Sequence, residues 1–316
     1  MTDWNMTFHK LTAAGNDFIC VDNTKGKYDS LLDSDRLAGF VRRLCHRALG
    51  AGADGVIFAG PTGNGQGVDI VARFFEPDGN EARLCGNGTA CFSQWAVRQG
   101  LIQRGDEVTI LTAAGTARCK YADDPRGRPV VCIPDPHGLE RNLLMQDSDR
   151  NFNLHYINIG VPHGVVFMED EKLEDCDVHR WGRALRYHRR FAPEGVNVDF
   201  VRVFDEGRIA VRTYEFGVEG ETLACGTGAS AAAILAMMNG EWPEAYQRGD
   251  KPVEVAVQSG ENLLVWADIR DDESITDVCL ETPVQRIYEG KLDESFVRRY
   301  SGGNICGDAV RRSEFR

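Results

Sequence analysis

Two short stretches of this 316-residue chain carry residues that could do chemistry: "RLCGNGTACF" (83–92) and, about 140 residues later, "TLACGTGASA" (222–231). Each sets a cysteine, Cys85 or Cys225, at the head of a Gly-x-Gly turn that runs into a helix of small residues. Glycine lets the backbone turn sharply and lets a ligand approach main-chain N–H groups. The first N–H groups of a helix lack internal partners and the helix dipole is positive there, so each turn can receive a carboxylate. The same position lowers a thiol below its usual value of about 8.5. Two such turns around one bound carboxylate would set a sulfur on each side of the neighbouring carbon. A thiolate there removes a proton and a thiol returns one on the opposite face, which inverts the centre. A single buried cysteine is ordinarily a small apolar residue. The repetition of the whole motif favours chemistry instead.

Other chemistries fit less well. GxxxxGK[ST], the phosphate-cradling loop, is absent, and "GAGADG" (50–55) satisfies G-x-G-x-x-G only after a helix and before a strand, the reverse of the dinucleotide-binding order. Ten cysteines are scattered without Cys-x-x-Cys or a compact Cys/His cluster, so reduced core thiols are expected and no metal site. With 36 Lys and Arg against 48 Asp and Glu, the formal charge of −12 argues against nucleic-acid binding and for a small-molecule partner. The longest apolar stretch, 229–238, falls short of the roughly 20 residues of a membrane span, and the start "MTDWNMTFHK" lacks a signal-peptide layout. A cytoplasmic protein without membrane attachment is expected.

The elements that must position the two thiols form an α+β pattern. Runs at 18–21, 56–58, 70–75, 108–111, 130–133, 165–168, 198–203 and 209–214 read as strands. Segments 36–48 and 179–187, and the stretches after Cys85 and Cys225, read as helices. The chain also repeats itself. "ARFFEPDGNEARLCGNG" (72–88) aligns with "VRTYEFGVEGETLACGTG" (211–228), "AGNDFICVD" (14–22) with "GVPHGVVFMED" (160–170), and "ADGVIF" (53–58) with "EGVNVDFV" (194–201). One fixed offset implies repeated structure. Two similar lobes are expected, 1–134 plus 280–316 carrying Cys85 and 152–279 carrying Cys225, joined by the polar stretch 135–151. His163 and Glu215 gain weight as functional candidates from their places in the repeat.

The motifs "AGNDF", "GADG", "PDGNEARLCGNGTACF", "PHGVVF", "GVNVDF" and "GVEGETLACGTGA" resemble those of the diaminopimelate epimerase family over nearly the whole chain. The resemblance implies two pseudo-symmetric lobes, each a β-sheet wrapped around a central helix, an active site between them, a homodimer, and no metal or pyridoxal phosphate. It implies Cys85 and Cys225 as the acid/base thiols, with His163 and Glu215 tuning them. It also implies a carboxylate site on Gly86, Asn87, Gly226 and Thr227, and side-chain contacts from Asn16 and Asn197.

Where that family holds a second, distal carboxylate with two asparagines and an arginine, this chain reads Glu76, Val161 and Phe216. The guanidinium fork suited to a carboxylate is gone. An anionic Glu76 would repel a second carboxylate, whereas a cationic or aromatic group would be attracted by Glu76 and packed by Phe216. The expected reaction is racemisation of an amino acid with a basic or imidazole side chain: histidine, ornithine, lysine or arginine. Diaminopimelate epimerisation is the alternative, with Arg73 or Arg83 replacing the missing cation. A double-bond isomerase of an unsaturated carboxylic acid, or an amino-acid binding protein, are more distant readings. The tail 298–316 reads as a mobile segment, and a disulfide between the two active-site thiols would switch activity off.

Overall fold

The computed structural model describes residues 5–62, 67–82, 85–104, 107–121, 127–147, 150–168 and 172–301. Its strands are β1 (Met6–Ala13), β2 (Asn16–Asp22), β3 (Gly55–Thr62), β4 (Ile70–Phe75), β5 (Glu81–Ala82), β6 (Glu107–Thr112), β7 (Gly115–Tyr121), β8 (Pro129–Cys132) and β9 (His137–Asp147). They continue as β10 (Arg150–Asn158), β11 (Pro162–Phe167), β12 (Asn197–Asp205), β13 (Arg208–Glu215), β14 (Gly220–Thr222), β15 (Val253–Ala256), β16 (Asn262–Ile269), β17 (Ile275–Glu281) and β18 (Val284–Leu292). The helices are α1 (Asp29–Leu32), α2 (Leu37–Cys45), α3 (Gly86–Arg98), α4 (Val178–Arg186), α5 (Gly226–Asn239), α6 (Glu244–Gln247) and α7 (Glu294–Ser301).

The ladders run β18-β1-β2-β3-β4-β6-β7-β8 in one half and β17-β16-β15-β13-β12-β11-β10-β9 in the other. The two halves mirror each other strand for strand and meet where β8 pairs with β17, Val131 opposite Leu280. Counted from β18 in one half and from β9 in the other, the third and fourth strands are parallel, β2 with β3 and β11 with β12. This is the pair of pseudo-symmetric lobes that the internal repeat implied.

Each sheet curls around one helix. Residues Gly228–Met237 of α5 are buried on every side, which suits a sequence of Ala, Ser, Ile and Leu with no polar face. Asn87–Ala96 of α3 are buried likewise. Both helices join one central core, while smaller cores lie outside the sheets under α2 (Phe40, Val41, Leu44) and α4 (Val178, Leu185). Asp177 caps α4 by accepting the Arg180 amide N–H at 3.1 Å.

Two expectations are corrected. The stretch 135–151 is not a connector: most of it is β9, hydrogen-bonded along β10, with Leu143 and Met145 turned to the core and Leu144 exposed. Its polar residues face water from a strand at the sheet's end. The tail begins in a helix, since α7 runs to Ser301 and lays Val297 and Phe296 against the α2 core, Phe296 edge-on to Phe40. The rest of that tail lies outside the described residues. No helix among the described residues is long and apolar enough to cross a membrane.

Candidate active site

The first turns of α3 and α5 meet between the lobes. Cys85 and Cys225 are the N-cap residues, in nearly identical extended conformations (φ −135°, ψ 120° and φ −124°, ψ 113°). Each carbonyl starts its helix, accepting from Thr89 N–H at 2.8 Å and from Ala229 N–H at 2.9 Å. No side-chain bond caps either helix. The heads lie so close that a β-carbon on Gly226 would sit 3.6 Å from Asn87 Oδ1. Asn87 donates to Asn16 Oδ1 at 2.7 Å and its own buried Oδ1 has no partner. Gly86, Gly226 and Thr227 remain partly open to solvent, so the two first turns can still receive a carboxylate.

A cleft of about 770 Å³ opens beside them, lined from one lobe by Asn16, Arg47, Asp54, Glu76, Asp78 and Cys85, and from the other by Glu215, Phe216 and Leu223. Its charge is chiefly acidic. Burial pushes the Glu215 carboxyl up, the His163 ring pulls it down, and the carboxylates of Asp199 and Glu76 push it further up. Glu76 stands at the exposed mouth, raised by loss of water and then by Asp78 and Asp54.

The expected lowering of the thiols is not seen in the cleft. Burial pushes Cys85 up to about 12, against the Gly88 and Asn87 N–H groups, and the charges of Glu76 and Glu215 act in the same sense as burial. Cys225 is raised well above the thiol range by burial, then by Glu215 and Asp199, with the Thr227 hydroxyl and Gly228 N–H opposing. Desolvation and facing carboxylates outweigh the helix dipoles. A thiolate here needs help beyond the helix head.

The other expected residues are distributed as follows. His163 is wholly buried between Asp199 and Thr227. Asn197 is buried too, but its amide already donates to the Pro162 carbonyl at 3.1 Å and accepts the Phe216 N–H at 2.8 Å. It retains one N–H for a ligand and otherwise fixes Phe216. The Phe216 ring is half exposed over the cleft, with the buried Arg186 guanidinium stacked 4.1 Å behind it. Arg186 is itself held by the Glu194 carbonyl at 2.8 Å and by Glu219 at 3.2 Å. Val161 sits in the turn before β11, partly exposed and outside the cleft lining. Arg73 does not face the cleft; it forms a two-pronged bond to Glu81, both distances 2.9 Å, and Arg83 lies outside the described residues.

Several site residues were not foreseen. Arg47 is the cation in the cleft lining, but Asp17 (2.9 Å) and Asp54 (2.7 Å) already hold it. Asp199 and Thr213 lie behind His163, and Leu223 forms the lip opposite Gly15. Among the described residues no group of three or more His, Cys, Asp or Glu side chains is set to hold a metal ion.

The sequence model of the family described as diaminopimelate epimerase matches residues 8–131 and 155–279, one segment for each lobe and each with its Cys-Gly-x-Gly head. The chain belongs to the diaminopimelate epimerase family. A diaminopimelate epimerase of Aquifex aeolicus is 38% identical over 291 residues, 92% of this chain and 98% of that one. One of Hydrogenobaculum is 36% identical over 289 residues, 91% and 98% of the two chains. Among solved structures, a probable proline racemase from Agrobacterium radiobacter superposes with a TM-score of 0.66 at 16% identity, over 91% of this chain and 93% of the other, and so shares the fold. As a member of the diaminopimelate epimerase family the protein is an isomerase of the racemase and epimerase kind, acting on a small molecule. The family's two-lobed fold is what brings the paired Cys-Gly-x-Gly heads together.

Proposed function

We propose that the protein racemises a free amino acid whose side chain is basic or an imidazole, using Cys85 and Cys225 as the two acid/base groups. The α-carboxylate would be held by the first-turn N–H groups of α3 and α5, at Gly86, Asn87, Gly226 and Thr227. The thiolate takes the α-proton, the negative charge spreads into the carboxylate held by the two helix heads, and the opposite thiol protonates the other face. Binding shifts the thiols in the needed direction, because an ammonium-bearing substrate offsets the Glu76 and Glu215 charges that oppose a thiolate in the cleft.

The observation that carries the substrate class is the charge of the cleft. The Glu76 charge raises Glu215, Asp78 and Asp54 raise Glu76, and the cation in the lining, Arg47, is already paired. A second substrate carboxylate entering there meets like charge; a cation or a polarisable ring meets Glu76 and the Phe216 face. Diaminopimelate is the second reading. It is favoured by the names of the relatives and by the exposure of Arg47, which could exchange Asp54 for a substrate carboxylate.

Incubation in heavy water with a panel of L- and D-amino acids separates the two. Deuterium at the α-carbon of histidine, ornithine, lysine or arginine, with little in diaminopimelate, is the expected result. Uptake into diaminopimelate alone would overturn the substrate assignment. No uptake into any amino acid, with turnover of an unsaturated carboxylic acid, would overturn the racemase reading itself.

A further inference from the structure

The strand registers allow the two lobes to be compared position by position. In one, Phe18 pairs with Gly55 and Val56 with Phe75; in the other, His163 pairs with Asn197 and Val198 with Tyr214. Setting Glu76 against Glu215 therefore matches Phe18 with His163, Ile57 with Asp199, and Phe74 with Thr213. Both triplets back the same turn of the central helices: a β-carbon on Gly88 would lie 3.2 Å from the rings of Phe18 and Phe74, and one on Gly228 would strike Asp199 Oδ1. The triplet behind Cys85 is apolar. The triplet behind Cys225 is polar, at most 3% exposed, and hydrogen-bonded throughout.

That polar chain is continuous. The Thr213 hydroxyl donates to Asp199 Oδ1 at 2.7 Å, and Asp199 Oδ2 is 2.7 Å from His163 Nδ1. His163 Nε2 is 2.9 Å from Thr227 Oγ1, which is 3.5 Å from Cys225 Sγ. A carboxylate at Nδ1 fixes a proton there, so Nε2 can accept from Thr227, whose oxygen is then free to accept from the thiol.

We propose that Thr227, His163 and Asp199 form a proton relay that makes Cys225 the base of the resting enzyme, while Cys85, with no acceptor behind it, waits as the acid. The Cys225 S–H bond breaks as an O–H bond forms at Thr227, and the Thr227 proton passes to Nε2. The products are a thiolate and an imidazolium, the latter bonded through Nδ1–H to Asp199. Net charge within the buried cluster does not change. Release of the same proton to water would instead leave a lone thiolate facing Glu215 from β13 and Asp199 from β12, which is why burial and those two carboxylates disfavour it. Cys85 faces Glu76 and Glu215 with only the Asn87 and Gly88 N–H groups to offset them, and Phe18, Ile57 and Phe74 can take no proton. Asp199 and Thr213 are positioning residues, since neither reaches the cleft. The catalytic meaning of the asymmetry rests on the racemase reading.

The test labels the ligand-free protein with iodoacetamide across a pH range and reads each cysteine-containing peptide by mass spectrometry, because alkylation follows the thiolate. Cys225 is expected to react faster than Cys85 at neutral pH. Thr227→Val, which removes the bridging hydroxyl without burying or freeing a charge, should slow Cys225 about tenfold or more and leave Cys85 unchanged. Asp199→Asn should do the same and move the Cys225 profile to higher pH; if that variant fails to fold, Thr227→Val still decides. Equal or faster labelling of Cys85 in the natural protein, or an unchanged Cys225 rate in Thr227→Val, overturns the relay. No substrate is present, so the relay can stand while the heavy-water panel fails, and the reverse.

Discussion

Gly15→Ala probes the closure of the two lobes. Gly15 lies in the turn between β1 and β2 at φ +103°, where an L side chain is strained, and its missing β-carbon would lie 2.6 Å from Leu223 Cβ in the other lobe. Carbon atoms normally approach no closer than about 3.5–4.0 Å, so the lip must open by roughly 1 Å. Leu223 cannot simply swing aside: the clash is at its β-carbon, and its carbonyl is anchored by the Ser259 N–H at 2.8 Å. The displaced segments matter, because Asn16, next to Gly15, holds Asn87, and Leu223 lies two residues before Cys225. A misplacement of about 1 Å between reacting groups costs on the order of a hundredfold in rate. The backbone strain adds about 1–2 kcal/mol of instability, a melting-point fall of a few degrees. We expect kcat/KM, followed by α-deuterium exchange, to drop roughly 10- to 100-fold in Gly15→Ala. Adding Leu223→Gly should restore much of the rate but not the melting point, since it removes the clash and leaves the φ strain. A Gly15→Ala protein with unchanged kcat/KM, or a double variant no faster than the single, would refute the reasoning.

Three further outcomes are expected. Glu76→Gln removes the charge proposed to hold a cationic side chain, so KM for such a substrate should rise about tenfold, the loss of one charge-assisted hydrogen bond, with kcat little changed; an unchanged KM in steady-state assays counts against the assignment. Glu215 is held above the ordinary glutamate range by burial, so its contribution to stability is full below its unfolded pKa and is lost as pH rises through its folded one. Glu215→Gln should therefore melt higher than the natural protein at pH 7, with the difference vanishing below about pH 4, which calorimetry at the two pH values checks. Cys132, opposite Cys279 with sulfurs 3.2 Å apart, is lowered to about 7 by the hydrogen bond from Cys279 and by Lys120 and Arg118. It should be alkylated readily at pH 8 and far more slowly at pH 5, and peptide mapping that finds it inert at both would contradict the pairing.

The repeat made much of this molecule legible, because chemistry tied to backbone geometry leaves a spacing behind. Ile70–Phe75 is a strand over the very residues expected, and both helices begin where the Cys-Gly-x-Gly turns placed them. What was hidden depends on partners. β9 looks polar because only Leu143 and Met145 among its central residues face the core, and β18 shows no apolar alternation because most of its side chains are exposed where it pairs with β1. The cysteines' acidity is hidden for the same reason: helix heads are visible in sequence, but the carboxylates of Glu76, Glu215 and Asp199 converge on them only after folding. Asp199 did leave a signal. It stands in "NVDFV", in a strand whose parallel and antiparallel neighbours, β11 and β13, leave it no open edge, and its side chain is wholly buried. A carboxylate in such a run must be paired or hydrogen-bonded, so the sequence already required a partner such as His163, one strand away. The matching run in the first lobe, "DGVIF", has Ile57 in that place and requires none. A repeat that preserves both thiols while keeping a carboxylate behind only one of them gives the two sulfurs different surroundings, and the labelling of Cys225 against Cys85 measures what that difference does.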